Sequence, residues 1–186
     1  MSGASPTPGA PSSAPKPENV NRAIRIVKVV VNAGVGQSGE PRQKAERVLQ
    51  MITHQKPIAT RSHSTNRDFG IRAGQEIGAK VTLRGASAVD FLNRAFEARD
   101  RQLDPDSIDR NGNFSFGIAD YTDFTGMKYD PEIGIHGMDV AVELGRAGYG
   151  VRERQVGARP IPKRLRSTKT DTRAYLAATF QVTFVE

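Results

Sequence analysis

The segment EIGAKVTLRG, residues 76–85, alternates with a period of two. Ile77, Ala79, Val81 and Leu83 interleave with Gly78, Lys80, Thr82 and Arg84. Successive side chains of a strand point to opposite faces, so this run demands a sheet with one buried face and one open face. Parallel strands covered by helices on both sides read instead as continuous apolar runs. The same alternation recurs in NGNFSFGI through Phe114, Phe116 and Ile118, and in GMDVAVEL through Met138, Val140, Val142 and Leu144.

The Val- and Ile-rich run IRIVKVVVNAGVG, residues 24–36, reads as a further strand. One face would carry Ile24, Ile26, Lys28, Val30 and Asn32, and the other Arg25, Val27, Val29 and Val31. The second is mainly apolar and is the predicted core face. Pro41 suits the first turn of a helix, and Ala45, Val48, Leu49 and Ile52 follow at helical spacing. Pro57 closes that helix and opens the extended piece PIATRS. Ser87 with Asp90 resembles a capping box ahead of Phe91, Leu92, Ala95 and Phe96. A last helix is predicted from about Thr170, and QVTFV is predicted to close the sheet. The fold class is therefore α+β, a largely antiparallel β-sheet with α-helices packed on one face.

The chain has 186 residues, enough for one core of ordinary size. Residues 1–21, rich in Pro, Ser and Ala, have too little apolar bulk to offset ordering and are predicted to be a disordered tail. Residues 22–186 form the single predicted domain, with a basic extension at 152–168. Cysteine is absent, which excludes disulfides, Cys-ligated zinc and thiol catalysis. With histidine only at 54, 63 and 136, a His-rich metal site is not expected. No apolar run reaches the roughly 20 residues of a membrane span, and the N-terminus lacks the layout of a secretory signal. A soluble, intracellular, basic protein is expected.

The formal charge of +7 is unevenly spread. Residues 22–84 sum to +8, residues 85–151 to −6 and residues 152–173 to +6. Two basic stretches flanking an acidic one favour a polyanion partner, unless folding mixes them and the fields cancel. Lys28, Asn32, Lys80, Thr82 and Arg84 fall on the non-core faces of two strands. Brought together, they would suit the phosphates and 2′-hydroxyls of a folded RNA. An ordinary solvated face is the other reading, and these residues alone leave both open.

Other motifs carry less. GVGQSG, residues 34–39, matches G-x-G-x-x-G but lacks the acidic residue about 20 positions on; Arg61 there leaves NADP formally available. Glycines that turn the chain fit the half-exposed strands better. SHSTNRDFGIRAG, residues 62–74, is a basic, Gly-bearing loop that could reach a phosphate backbone or lie as plain surface. Asp100, Asp104, Asp106 and Asp109 lack calcium-loop spacing and read as a solvated acidic loop. No nucleophile–base spacing supports catalysis.

Taken in order, VVVNAGVG (29–36), ITHQKPIATRS (52–62), FGIRAGQEIGAKVTLRG (69–85), FLNRAF (91–96), RNGNFSFGI (110–118) and HGMDVAV (136–142) resemble the large-subunit ribosomal protein L-five family. The extension GYGVRERQVGARPIPKRLRS is similar to the archaeal and eukaryotic branch. The resemblance implies a structural protein of the central protuberance that is not an enzyme and has no cofactor. It implies 5S rRNA binding through Asn32, Gly34, Gln55, Lys56, Thr60, Arg61, Lys80, Thr82 and Arg84, joined by Lys28 on the same predicted face. It places residues 63–72, with His63, Ser64, Asn66, Arg67 and Arg72, near the P-site tRNA. A bridge to a small-subunit protein is also implied, with the acidic middle segment as contributor. Arg152, Arg154, Lys163, Arg164 and Arg166 would carry the extension's contacts to large-subunit rRNA or neighbouring ribosomal proteins. Two departures stand out: His54 where the family often has Gly before QKP, and a 63–72 loop without the usual lysines. The competing functions are an NADP-binding oxidoreductase using GVGQSG and a basic protein-interaction module.

Overall fold

The structure is a computed structural model that describes residues 20–185. Residues 1–19 of the expected tail lie outside the described residues. Five strands form one sheet: β1 (Arg25–Gly34), β2 (Ile58–Arg61), β3 (Glu76–Leu83), β5 (Phe114–Ile118) and β6 (Met138–Gly145). Their order is β2-β3-β1-β6-β5, and every neighbouring pair is antiparallel. The helices α1 (Glu40–Thr53), α2 (Ala86–Glu97) and α4 (Lys169–Phe180) bury their apolar sides in one core with the sheet. A short helix α3 (Gly150–Glu153) begins the basic extension. No helix of the described residues is long and apolar enough to cross a membrane.

Alternation explains which face is covered. Val29, Val31 and Ala33 of β1 are buried with Ala79, Val81 and Leu83 of β3, and with Met138, Val140, Val142 and Leu144 of β6. Helical spacing delivers Ala45, Val48, Leu49 and Ile52 of α1 and Phe91, Leu92, Ala95 and Phe96 of α2 onto that layer. Phe96 is the aromatic hub, with ring centroids 5.2 Å from Phe116, 5.3 Å from Phe180 and 6.1 Å from Phe114. Aromatic pairs at such distances contribute about 0.5–1.5 kcal/mol each beyond their burial.

Four details depart from the expectation. The pairing of β1 with β6 slips between Ile26 and Lys28, so Val27 is an extra residue that inverts the alternation. Ile24 and Ile26 therefore pack against the core, whereas the Val27 methyls lie against Gly145 on the other side. Second, α2 starts at Ala86 behind Gly85, the N-cap, which sits at φ 62°; Ser87 lies inside the first turn and caps nothing. A true capping box occurs at α4, where Thr168 and Asp171 bond each other's backbone N–H groups. Third, the last residues do not close the sheet. The helix α4 ends within the helical layer, so β7 (Thr183–Phe184) pairs in parallel with β4 (Gln102–Leu103), the two-residue strand that follows α2. Fourth, α1 ends before Pro57, at His54, which takes φ 54° and donates its N–H to the Gln50 carbonyl. Glycine adopts such a left-handed cap without steric cost, whereas His54 carries a Cβ into it.

Gly78 shows how closely β1, β2 and β3 approach. A Cβ on it would sit 2.8 Å from both the Ala33 carbonyl oxygen and Thr60 Oγ1. Gly117 on β5 has ordinary room, its nearest neighbour being an Asp139 carboxylate oxygen at 3.7 Å. Gly78→Ala is expected to destabilise by about 1–3 kcal/mol through forced strand separation. Gly117→Ala should be neutral or stabilise by about 0.4–1 kcal/mol. Urea denaturation of both variants checks the contrast.

Candidate nucleic-acid interface

The face opposite the helices is built by the other half of each strand's alternation. Register aligns Ile58, Lys80, Asn32, Asp139 and Gly117 in one row across the five strands. Beside it run Thr82, Val30, Ala141 and Ser115, and on the other side Thr60, Gly78 and Gly34. Asn32 and Lys80 are direct cross-strand partners, so residues far apart in the chain meet on one wall. Lys80, Thr82 and Arg84 are exposed. Neither Lys80 nor Arg84 has an ion-pair partner among the described residues.

Charge divides this wall along β1. On the β2–β3 side, Lys80 and Arg84 stand free, and Lys56 is exposed in the turn between α1 and β2 beside Gln55. Arg61, at the sheet edge, lies 3.4 Å from Glu76 and is still largely exposed. On the β6–β5 side the polar residues are Asp139, Glu143 and Ser115. Lys28, expected as a free cation, is instead held by Glu143, Nζ to carboxylate oxygen 2.9 Å. The reason is the β1–β6 register, which sets Lys28 directly opposite Glu143. Arg152 of the extension reaches the same carboxylate at 3.0 Å. Glu143 is 17% exposed, and its carboxyl is held below the ordinary 4.5. The hydrogen bond from Lys28 is the main cause; burial opposes it, and the charges of Lys28 and Arg152 add to it.

Ile58, 65% exposed, and Val30 interleave apolar surface with the polar row. Sequence reading did not single out these two, Glu143 or Tyr149. The even-numbered alternation of β1 and the odd-numbered alternation of β6 already put Val30 and Glu143 opposite the core. Which strands are neighbours was needed to see what they touch.

The 62–75 segment is a built hairpin, not a loose loop. Asn66 and Ile71 exchange backbone hydrogen bonds at 2.8 and 2.9 Å, and Gly70 N–H donates to the Arg67 carbonyl at the tip. Thr65 Oγ1 accepts from Ala73 N–H, and Gln75 Nε2 donates to Ser38 Oγ at the base. His63, Ser64, Asn66, Arg67 and Arg72 are all exposed, with Phe69 74% exposed at the tip. Asp68 is the only acid of the segment. GVGQSG runs from the end of β1 into α1, but β1 is antiparallel to both neighbours. The parallel βαβ unit that makes such glycines a dinucleotide site is absent among the described residues.

The extension folds back over the end of the sheet. Tyr149 organises it: its hydroxyl donates to the Leu165 carbonyl at 3.1 Å and accepts from Ser167 N–H at 3.0 Å. Arg154 and Arg166 each give one Nε–H to a carbonyl of the extension itself, at Gly157 and Ile161. Lys163 and Arg164 are exposed without an ion-pair partner among the described residues. The five expected cations thus share one extension, but Arg152 is drawn to the sheet. The aspartates at 100, 104, 106 and 109 stay apart chemically, Asp104 capping the Asp106 N–H and Asp109 the Arg110 N–H. No group of carboxylates or imidazoles able to hold a metal occurs among the described residues.

This arrangement defines a class: an α+β protein whose open antiparallel sheet, flanked by a basic hairpin and a basic extension, presents exposed cations and hydrogen-bonding groups on one half of its wall. Residues 19–72 match the family model for ribosomal protein L5, and residues 76–181 match the model for the C-terminus of the same ribosomal family. The chain is 50% identical over 169 residues to large ribosomal subunit protein uL5 of Picrophilus torridus, covering 90% of this chain and 96% of that protein. The uL5 proteins of Thermoplasma volcanium and Sulfolobus acidocaldarius are 48% and 45% identical, over 90% and 92% of this chain and 99% and 96% of theirs. The chain belongs to the ribosomal protein L5 family.

Because the folded Glu143 carboxyl lies below its ordinary value, its contribution to stability is complete above about pH 4.5 and is lost as pH falls through the folded value. Glu143→Gln should be less stable than the parent at pH 7, and the difference should shrink as pH is lowered below about 4.5 and through the folded value. Denaturant titrations at a series of pH values from 7 downward test this.

Proposed function

We propose that this chain is a structural constituent of the large ribosomal subunit, in the cytoplasm, that binds 5S rRNA through the β2–β3–β1 half of its open sheet. The observation that carries the reading is the pair Lys80 and Arg84, exposed, unpaired and set beside the amide of Asn32 and the hydroxyl of Thr82. Ammonium and guanidinium groups neutralise phosphates, while amide and hydroxyl fix orientation and meet 2′-hydroxyls. Gly34, Gln55, Lys56, Thr60 and Arg61 border the same half. Lys28 contributes less, because Glu143 already compensates its charge. The function is placement, with no reaction catalysed and no cofactor.

The 62–75 hairpin is the element proposed to meet the P-site tRNA, since its internal bonds hold Arg67 and Arg72 outward. Within the acidic segment 85–151, the exposed carboxylates away from the 111–113 turn and β6 are proposed to face a basic small-subunit protein, because their charge disfavours rRNA. Membership of a ribosomal family and the antiparallel setting of GVGQSG both weigh against an oxidoreductase.

Lys80→Ala and Arg84→Ala should each weaken 5S rRNA binding by about 1 kcal/mol or more and lower the salt slope by about one unit. Lys28→Ala should change both less. Filter binding from low to moderate salt measures this, and unchanged affinity in the Lys80 and Arg84 variants would sink the sheet-wall site. Replacing Arg67 and Arg72 together by Ala should speed tRNA release from the P site without lowering 5S rRNA content. A release rate equal to that of the parent would remove the hairpin contact.

A further inference from the structure

Where the extension folds over β6, it encloses a cavity of about 180 Å³ between the 111–113 turn, the end of β6 and residues 149–166. We propose that this cavity receives a single extruded nucleobase of ribosomal RNA. The proposal rests on the reading of the chain as an rRNA-binding protein, but it concerns a site separate from the cationic half of the sheet. The cavity is smaller than the roughly 300–1,000 Å³ of sites for drug-sized ligands, so its occupant is about one ring system. Leu144, Tyr149, Pro160 and Ile161 supply flat or apolar walls.

The hydrogen-bonding groups left free define the chemistry. Tyr149 already donates to Leu165 and accepts from Ser167. Asn113 Oδ1 accepts the Leu144 N–H, which fixes its amide orientation and leaves Nδ2 as a donor. Asn111 gives its Nδ2 to Asp109 through a long 3.4 Å contact, leaving Oδ1 as an acceptor. One donor and one acceptor lining the same cavity suit the edge of a base.

Charge narrows the occupant. Glu143 is already paired with Lys28 and Arg152, which leaves Arg166 as the lining's free charge, and that cation opposes a cationic side chain. The remaining apolar and amide lining suits a neutral heterocycle carried on an anionic backbone, its phosphates meeting Arg166 and the exposed Lys163 and Arg164. Sequence-reading proteins take RNA bases in this way, splayed out of the helix and held against aromatic or apolar groups.

The test is chemical probing of rRNA in large subunits assembled with the parent chain, Ile161→Trp or Asn111→Ala. The tryptophan fills the cavity, and the alanine removes the acceptor at an exposed position without disturbing packing; melting curves confirm that both fold. One unpaired nucleotide, protected on its Watson–Crick edge by the parent, should become about fivefold or more reactive in both variants, as expected for loss of a hydrogen bond or two. The rest of the footprint and the 5S rRNA content should not change. No single-nucleotide difference in either variant, with the footprint otherwise intact, overturns the cavity proposal and leaves the rRNA reading standing. Loss of a neighbouring protein from the Ile161→Trp subunits, with no nucleotide altered, also overturns it. A parent chain that protects no rRNA would instead bring down the broader reading.

Discussion

Antiparallel pairing of β1 on both of its edges is the constraint on which the rest of this structure depends. A strand hydrogen-bonded on both sides has its two faces decided for all five strands at once, because register carries each residue's orientation to its partner. Val29 and Val31 then have to lie under α1 and α2, and Asn32 has to lie beside Lys80. The same pairing removes GVGQSG from the setting in which it would hold a dinucleotide. The sheet order also brings β3, which carries the free Lys80 and leads to Arg84, and the acid-bearing strand β6 to opposite sides of β1.

That order turns a mixed wall into a divided one. Glu143 draws in Lys28 from β1 and Arg152 from the extension, so one carboxylate holds two cations and ties a distant segment to the sheet. A carboxylate largely shielded from water interacts strongly with such partners because screening is weak there. The free cations Lys80 and Arg84 are thus left on and just beyond β3, while the β6 end is tied to the extension around an enclosed cavity.

The core was largely legible in the chain. Ala79 to Leu83, Phe114 to Ile118 and Met138 to Leu144 announced their buried faces by simple alternation, with Ile77 left only half-buried at the start of β3, and the apolar positions of α1 and α2 did so by helical spacing. The errors arose where one residue changed the count or where a partner was remote. Val27 inverts the faces of β1, and nothing local distinguishes it from the valines that follow. QVTFV, residues 181–185, looked like a strand and its Thr183–Phe184 formed one, but the partner was chosen by where α4 ended. Of the candidate wall, Lys80 and Arg84 were readable as exposed cations, whereas the neutralisation of Lys28 depended on Glu143, which lies far along the chain.

The sequence by itself determined the class of fold, the helix-covered face and the set of polar side chains on the other, since these follow from periods of 2 and 3.6 that each segment carries locally. Only the tertiary structure decided which of those cations remain free, how the extension returns to β6, and where a cavity forms. Those outcomes depend on strand order and register, and it is the pairing of distant segments that sets the distances over which charges and hydrogen-bonding groups meet.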